Sequence, residues 1–283
     1  MFKKYLYKIL DFYLYSSMHI ALSATLFILQ TYILLNIDID FHYLAFIFSS
    51  TVFLYALHNI LGIFTPQEDI IRDKLETLRK MKALLSTMII VFGLISAYTF
   101  FQLSINEIIA IIFFAFISVW YVIPLFGKRL RDYPIIKIFL VALVWAAIAT
   151  LIPLYKSDIE LTTRIAIFIE KYFFVFALVI PFDIRDIEYD CSLKVPTLPN
   201  KFGKNKAILF AVVALLISIS IALVLVKKDV YSGKQGIAVL FGYFLTMLLV
   251  VLSKNKKTDY YFTGIIDGLP IINLLLVLLS IFI

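Results

Sequence analysis

The sequence predicts an all-α fold: a polytopic membrane protein built as a bundle of nine transmembrane helices. Three observations predict it. Of the 283 residues, 63% are hydrophobic and only 16% charged, at a mean hydropathy of +0.99, whereas a soluble globular chain is nearer half apolar and a quarter charged. So few polar residues cannot clothe a folded surface of this size, and lipid must cover the rest. The apolar residues also come in mostly apolar runs of roughly 20, the length that crosses a bilayer as a helix. Finally, several runs are joined by connections as short as "NIDID" and "LSINE". Such spacing makes tight helical hairpins, where a transmembrane barrel would display short alternating segments.

In chain order the windows are 16–36, 41–62, 83–103, 105–125, 134–155, 165–184, 206–226, 236–253 and 260–283. The first follows a basic segment containing Lys3, Lys4 and Lys8, but no small-residue cleavage site follows it, so it reads as a retained helix. Residues 1–283 read as a single integral membrane domain, without a soluble domain, a low-complexity linker or a short repeat. The longest connections are 63–82 and 183–206.

Charge sets the orientation. One side carries Lys3, Lys4, Lys8 and the basic clusters within 63–82, 128–137, 185–206 and 254–257. The other carries Lys156, Arg164, Lys171, Lys227, Lys228 and Lys234. By the positive-inside rule the amino terminus is cytoplasmic and the carboxyl terminus outside, which puts both long connections on the cytoplasmic side. The net charge of +7 therefore signals orientation and anionic lipid headgroups, and nucleic acid is not an expected partner. The lone Cys191 rules out an internal disulfide. His19, His42 and His58 share no familiar metal-ligand spacing with it. Neither paired intramembrane charges nor matched broken helices are evident, which disfavours a transporter.

One stretch stands out. "PFDIRDIEYD", residues 181–190, follows the apolar "YFFVFALVI" and places Asp183, Asp186, Glu188 and Asp190 close together. At spacing i, i+3, i+7, Asp183, Asp186 and Asp190 share one helix face, with Lys194 one turn further on and Arg185 and Glu188 off it. Either a membrane helix simply ends in water here, or the crowded carboxylates are bridged by a hard cation. Mg²⁺ takes oxygen ligands, typically one or two carboxylates together with substrate phosphates.

The stretch "DIRDIEYDCSLKVPTLPNKFGKNKA" resembles the second aspartate-rich motif of the UbiA superfamily of intramembrane prenyltransferases, in which Asp-x-x-Asp-x-x-x-Asp precedes a basic residue, "TLP" and a Gly-Lys pair. Thr197-Leu198-Pro199 and Gly203-Lys204 stand in those places. "WYVIPLFGKRLRDYPIIK", residues 120–137, is similar to the exit of that family's fourth helix. Nine helices with an internal amino terminus match as well. The family's first motif, Asn-Asp-x-x-Asp-x-x-x-Asp, has no counterpart in "LYALHNILGIFTPQED". With Asn59 as the family's Asn, the acids become Ile60, Ile63 and Gln67; one position earlier they become Asn59, Gly62 and Pro66. Glu68, Asp69 and Asp73 lie just beyond, where they either face the same cavity or pair with Arg72, Lys74 and Arg79.

The resemblance implies Mg²⁺ held by Asp183, Asp186 and Asp190, and Mg²⁺-dependent transfer of a prenyl group from a prenyl diphosphate to a lipophilic or aromatic acceptor within the membrane. It implies a cytoplasmic membrane, of prokaryotic type, with the mouth of the site on the cytoplasmic side. Asn59, His58, Tyr121, Lys128, Lys194 and Arg72 are the candidate substrate-binding residues, although the cations among them equally satisfy the positive-inside pattern. Asp267, in "TGIIDGLPI", lies eight residues beyond Asp259 on the last span, about 12 Å deeper; buried carboxylates in membranes face cavities or partners. It is either a catalytic base or a hydrogen-bonded staple. Two other outcomes fit the same residues: a terpene cyclase of the same superfamily, with Asp267 quenching the cation, and a prenyl-lipid-binding homologue without turnover.

Overall fold

The computed structural model describes residues 2–64, 72–122, 127, 130, 133, 135–192, 197–256 and 258–282, with side chains outside 2–8, 64, 72–75 and 121–122. Every regular element among them is a helix. Among the described residues, eight helices are long and apolar enough to cross a membrane: Met18–Leu35, Phe41–Ile63, Lys82–Phe100, Ile136–Lys156, Leu161–Arg185, Lys204–Lys227, Gly233–Ser253 and Tyr260–Phe282. A further apolar helix, Ile105–Trp120, is shorter. These nine fall on the nine expected windows, and the chain is an integral membrane protein.

The chain divides into two compact units, residues 1–26 with 40–103 and residues 27–39 with 104–283. The first contains α1 (Phe2–Tyr15), the opening turns of α2 (Met18–Leu35), α3 (Phe41–Phe64), α4 (Arg72–Lys80) and α5 (Lys82–Phe100). The basic entry segment is thus itself a helix, though at 14 residues, or about 21 Å, it is too short to span. The α1–α2 corner turns at Ser17, whose φ of 70° is unusual for a residue with a side chain. The Asn59 amide holds that corner, donating to the Tyr15 carbonyl at 3.3 Å and to Ser17 Oγ at 3.2 Å. Val52, Ala56, Leu85 and Met88 form the seam between α3 and α5, closed by Tyr15, Ala21 and Leu78. Ile60 and Ile63 pack against it. Two of the three positions where the family pattern, counted from Asn59, would place acids are therefore apolar packing positions, and the third, Gln67, lies outside the described residues.

The second unit contains the rest of α2, then α6 (Ile105–Val122), α7 (Ile136–Ala149), α8 (Leu161–Arg185), α9 (Ile187–Ser192), α10 (Leu198–Phe202), α11 (Lys204–Lys227), α12 (Gly233–Ser253) and α13 (Leu269–Phe282). Between lipid-facing helices there is little hydrophobic drive to associate, so close packing depends on small residues. Ala207, Ala211, Ala214, Ser218 and Ala222 of α11, and Ala142, Ala146 and Ala149 of α7, are all buried, and both helices pack against α8. Gly242 serves the same end on α12: a side chain there would collide with the amide of Asn273. The outward surface is greasy, with Ile109, Phe113, Leu209, Ile237 and Phe241 well exposed, as lipid requires.

Two features of this unit depart from the sequence-based expectation. The three aspartates do not lie on one continuous helix: α8 runs through Pro181, inside the expected span, and stops at Arg185 before α9 begins at Ile187. Paired charges are also present inside the membrane after all. Glu170 and Lys171 lie within α8, both at most 1% exposed, so Lys171 is no loop cation. Glu170 accepts from Tyr231 Oη at 2.6 Å and from Tyr243 Oη at 2.7 Å. Lys171 Nζ donates to Gln30 Oε1 at 2.8 Å and sits 4.4 Å from the Phe27 ring centre. Ser218 Oγ donates to the Glu170 carbonyl at 2.9 Å. Tyr231 reaches this centre from the connection between α11 and α12; its burial and the adjacent Glu170 carboxylate push its phenol well above the usual tyrosine range.

Candidate functional site

The site is built on the carboxyl end of α8. Asp183 belongs to its last turn, and Arg185 is its last residue. Asp186 leaves helical geometry (φ −91°, ψ 10°) while its N–H still reaches the Phe182 carbonyl at 2.9 Å. The chain re-enters a helix at once as α9, and the Asp190 N–H bonds the Asp186 carbonyl at 2.8 Å. The i, i+3, i+7 spacing thus crosses a junction between two helices. Asp183 and Asp190 are buried, whereas the Asp186 side chain is 31% exposed.

Among the described residues, two cations that the sequence pattern did not single out pair with Asp183 and Asp186. Lys137, the second residue of α7, donates to Asp183 Oδ1 at 2.8 Å. Asp183 is only 1% exposed, and its other oxygen, Oδ2, is buried with no hydrogen-bond partner among the described residues. Arg185 grips Asp186 with a fork, Nε to Oδ1 at 2.7 Å and Nη2 to Oδ2 at 3.0 Å, and reaches Asp259 Oδ1 with Nη1 at 3.3 Å. The guanidinium lies 5.2 Å from the Phe182 ring centre and 5.5 Å from that of Phe262, an arrangement that suits its flat, weakly hydrated faces.

Asp259 and Phe262 come from the start of the last span, where residues Tyr260–Ile266 form a π-helix. The Asp267 N–H closes its last wide turn on the Phe262 carbonyl at 3.0 Å. Asp267 is half-buried and lies within electrostatic reach of Arg185. π-helical turns are rare and often sit at functional sites.

The "TLP" and Gly-Lys elements have a local physical role. Thr197 precedes the five-residue α10, whose second residue is Pro199. Gly203 then joins α10 to α11 with φ 81° and ψ 157°, a region open essentially to glycine alone. Leu198 and Pro199 are buried there, and Thr197 is 2% exposed.

Of the predicted site residues, the structure brings Asp183, Asp186, Asp190 and Asp267 to this end of the second unit. Asn59 and His58 belong to the first unit, and the Asn59 amide is engaged there at the α1–α2 corner. Lys128 and Lys194 lie outside the described residues, as do Glu68 and Asp69 and the side chains of Tyr121, Arg72 and Asp73. Lys137, Arg185 and Asp259 were missed as site residues. The signal for Lys137 was available: a single basic residue one step into an apolar run, after "YPII".

Among the described residues no group of three histidine, cysteine or acidic side chains converges to hold a metal by itself. The chemistry present nonetheless suits Mg²⁺, which binds through few carboxylates and completes its shell with water and phosphate oxygens. Asp183 Oδ2, a buried carboxylate oxygen lacking a donor, is the observation that fits.

No protein-family model matches the chain, and no curated protein matches its sequence. Solved structures do match. A UbiA homologue from Archaeoglobus fulgidus bound to GPP and Mg²⁺ superposes with a TM-score of 0.66 at 13% identity, over 96% of this chain and 100% of that one. A UbiA homologue from Archaeoglobus fulgidus bound to DMAPP and Mg²⁺ gives 0.64 at 14% identity, over 96% and 99%. A digeranylgeranylglyceryl phosphate synthase gives 0.56 at 16% identity, over 98% and 99%. Nine apolar helices in the expected order, with an acid cluster closing the longest of them, agree with this likeness along nearly the whole chain: it has the UbiA fold.

Proposed function

We propose that this protein transfers a prenyl group from a prenyl diphosphate to a lipophilic or aromatic acceptor inside the membrane, with Mg²⁺ as cofactor. The observation that carries the reading is Asp183, a buried carboxylate with one undonated oxygen, beside Asp186 and Asp190 where a membrane helix ends. Solved structures of the same fold hold prenyl diphosphates with Mg²⁺. The distribution of Lys and Arg puts this end of α8 on the cytoplasmic side.

The diphosphate headgroup binds where lipid gives way to water, and its hydrocarbon lies among apolar helices. Asp183, Asp186 and Asp190 are the residues that would hold Mg²⁺, which supplies positive charge to the diphosphate oxygens. Scission of the C1–O bond sends its electron pair to the diphosphate and leaves an allylic cation. The acceptor provides the electron pair of the new bond and releases a proton, for which Asp267 is the candidate base. Aromatic walls, such as Phe182 and Phe262, stabilise positive charge through their ring faces.

A second reading, a prenyl-lipid binder without turnover, has its own observation behind it. Asp183 and Asp186 are already charge-paired within the chain, and Ile60 and Ile63 replace the first-motif acids. The experiment is binding of geranylgeranyl diphosphate to the purified protein with and without Mg²⁺, beside Asp183→Ala and Asp186→Ala. Mg²⁺-dependent binding lost in both variants supports the site, and a released prenylated product then separates enzyme from binder. Binding indifferent to metal and to both substitutions sinks the transferase and leaves the binder, and an absence of binding sinks both readings.

A further inference from the structure

We infer that Lys137 is an internal counter-ion that competes with the divalent cation for Asp183, so that the cation and the diphosphate bind together rather than singly. The inference rests on the reading above and deepens it. A carboxylate that is 1% exposed keeps its charge only with a positive group beside it. Lys137 Nζ, 2.8 Å from Oδ1, is that group.

Among the described residues, the other charges at this end of the unit are Asp186, Asp190, Arg185, Asp259 and Asp267. Arg185 is not available for exchange: its fork is spent on Asp186, its third nitrogen on Asp259, and its faces meet Phe182 and Phe262. Lys137 is different. Its side chain is 23% exposed, and it ends in a point charge on a flexible four-carbon stem. Of the two described cations on these acids, it is the one able to exchange partners.

Oδ2 of the same carboxylate is the oxygen open to a metal. A dication on Oδ2 stands a few ångströms from the ammonium on Oδ1, where like charges in a partly desolvated setting repel strongly. The ammonium must therefore leave Asp183 as the cation arrives. It needs an anion to go to, and an incoming diphosphate is one. Metal alone then binds weakly, because it must expel an ammonium into a site of mixed charge. Diphosphate alone also binds weakly, because it must draw that ammonium from an otherwise unpaired buried carboxylate. Each ligand favours the other, and by linkage the effect is reciprocal.

The test is Mn²⁺ binding to the purified full-length chain with no diphosphate present, read from the electron paramagnetic resonance signal of unbound Mn²⁺. Wild type is set beside K137M, K137Q, K137R, D183N and the double variant K137M/D183N. Elution as a single folded species qualifies each variant, and the neutral, polar K137Q stands in should K137M fail to fold. The inference expects K137M or K137Q to bind Mn²⁺ alone at least tenfold tighter than wild type. K137R should stay within about threefold of wild type, and the double variant should lose the gain. A folded K137M and K137Q that bind no tighter than wild type overturn it, as does a gain that persists in the double variant. If that happens while wild type still binds geranylgeranyl diphosphate in a manner needing Mg²⁺ and Asp183, the exchange falls and the proposed function stands. If no variant binds Mn²⁺ or prenyl diphosphate in an Asp183-dependent way, both fall.

Discussion

Helix α8 carries two polar centres thirteen residues apart, Glu170 and Asp183, about 20 Å along its axis, and they are finished in opposite ways. At Glu170 both carboxylate oxygens receive a tyrosine hydroxyl, and the neighbouring Lys171 is hydrogen-bonded to Gln30. At Asp183 one oxygen meets a lysine that is partly exposed, and the other meets no donor among the described residues. Both carboxylates are almost wholly buried. A buried charge saturated by hydrogen bonds organises packing; one left partly unsatisfied retains capacity for a ligand. The contrast is what distinguishes the candidate site from a structural polar cluster on the same helix.

Breaking the saturated centre should have the largest effect on stability. Glu170→Ala leaves Lys171 buried without its neighbouring charge and two tyrosines without their acceptor. An expected loss of about 3–5 kcal/mol follows, read from thermal unfolding in detergent against wild type. A loss below about 1 kcal/mol would mean that Glu170 does not organise the packing around it.

Asp183→Ala tests the other centre and should act on the opposite quantity. Mg²⁺-dependent binding of geranylgeranyl diphosphate should weaken at least about a hundredfold, about 2.7 kcal/mol at 1.36 kcal/mol per decade. The unfolding temperature should move less than in Glu170→Ala. If the two substitutions have the same profile, the comparison collapses.

Tyr231→Phe removes one charge-assisted hydrogen bond and should cost about 2 kcal/mol at neutral pH. It also sharpens the comparison through pH. The folded phenol titrates above its ordinary 10.0, from burial first and Glu170 second. The stabilising preference for the protonated phenol is full below pH 10 and is lost as pH rises from there towards the raised folded value. Wild type should therefore lose stability in strong alkali more steeply than Tyr231→Phe, as measured by unfolding temperature against pH. Parallel curves for the two proteins would remove Tyr231 from this role.

The smallest effect expected is at the α1–α2 corner. Asn59→Ala removes two side-chain hydrogen bonds of 3.2–3.3 Å and should lower stability by about 1 kcal/mol. A change near zero in the same unfolding assay would argue that the corner holds without Asn59.

The legibility of each feature follows the range of the interaction behind it. The spans were readable because bilayer thickness imposes a length and a composition on each segment by itself. The acid run 183–190 and the Gly203 joint were readable because their meaning lies in neighbouring residues. The i, i+3, i+7 spacing misled in part, since it assumes one continuous helix, whereas α8 ends at Arg185 and α9 begins at Ile187. Glu170 and Lys171 were missed because two charges in a run of about 20 apolar residues barely alter its hydropathy; what marks them is Tyr231, 61 residues away, and Gln30, 141 residues away.

By itself the sequence determined an all-helical membrane protein of nine apolar segments, their order, and the position of an acid cluster at the end of the sixth. Those properties depend on local hydropathy and charge. Only the tertiary structure decided which acids are buried, that Lys137 and Arg185 divide Asp183 from Asp186, and that Ile60 and Ile63 are packing residues. A carboxylate's state depends on what other helices bring within about 3 Å of it, and hydropathy along the chain carries no trace of that distance.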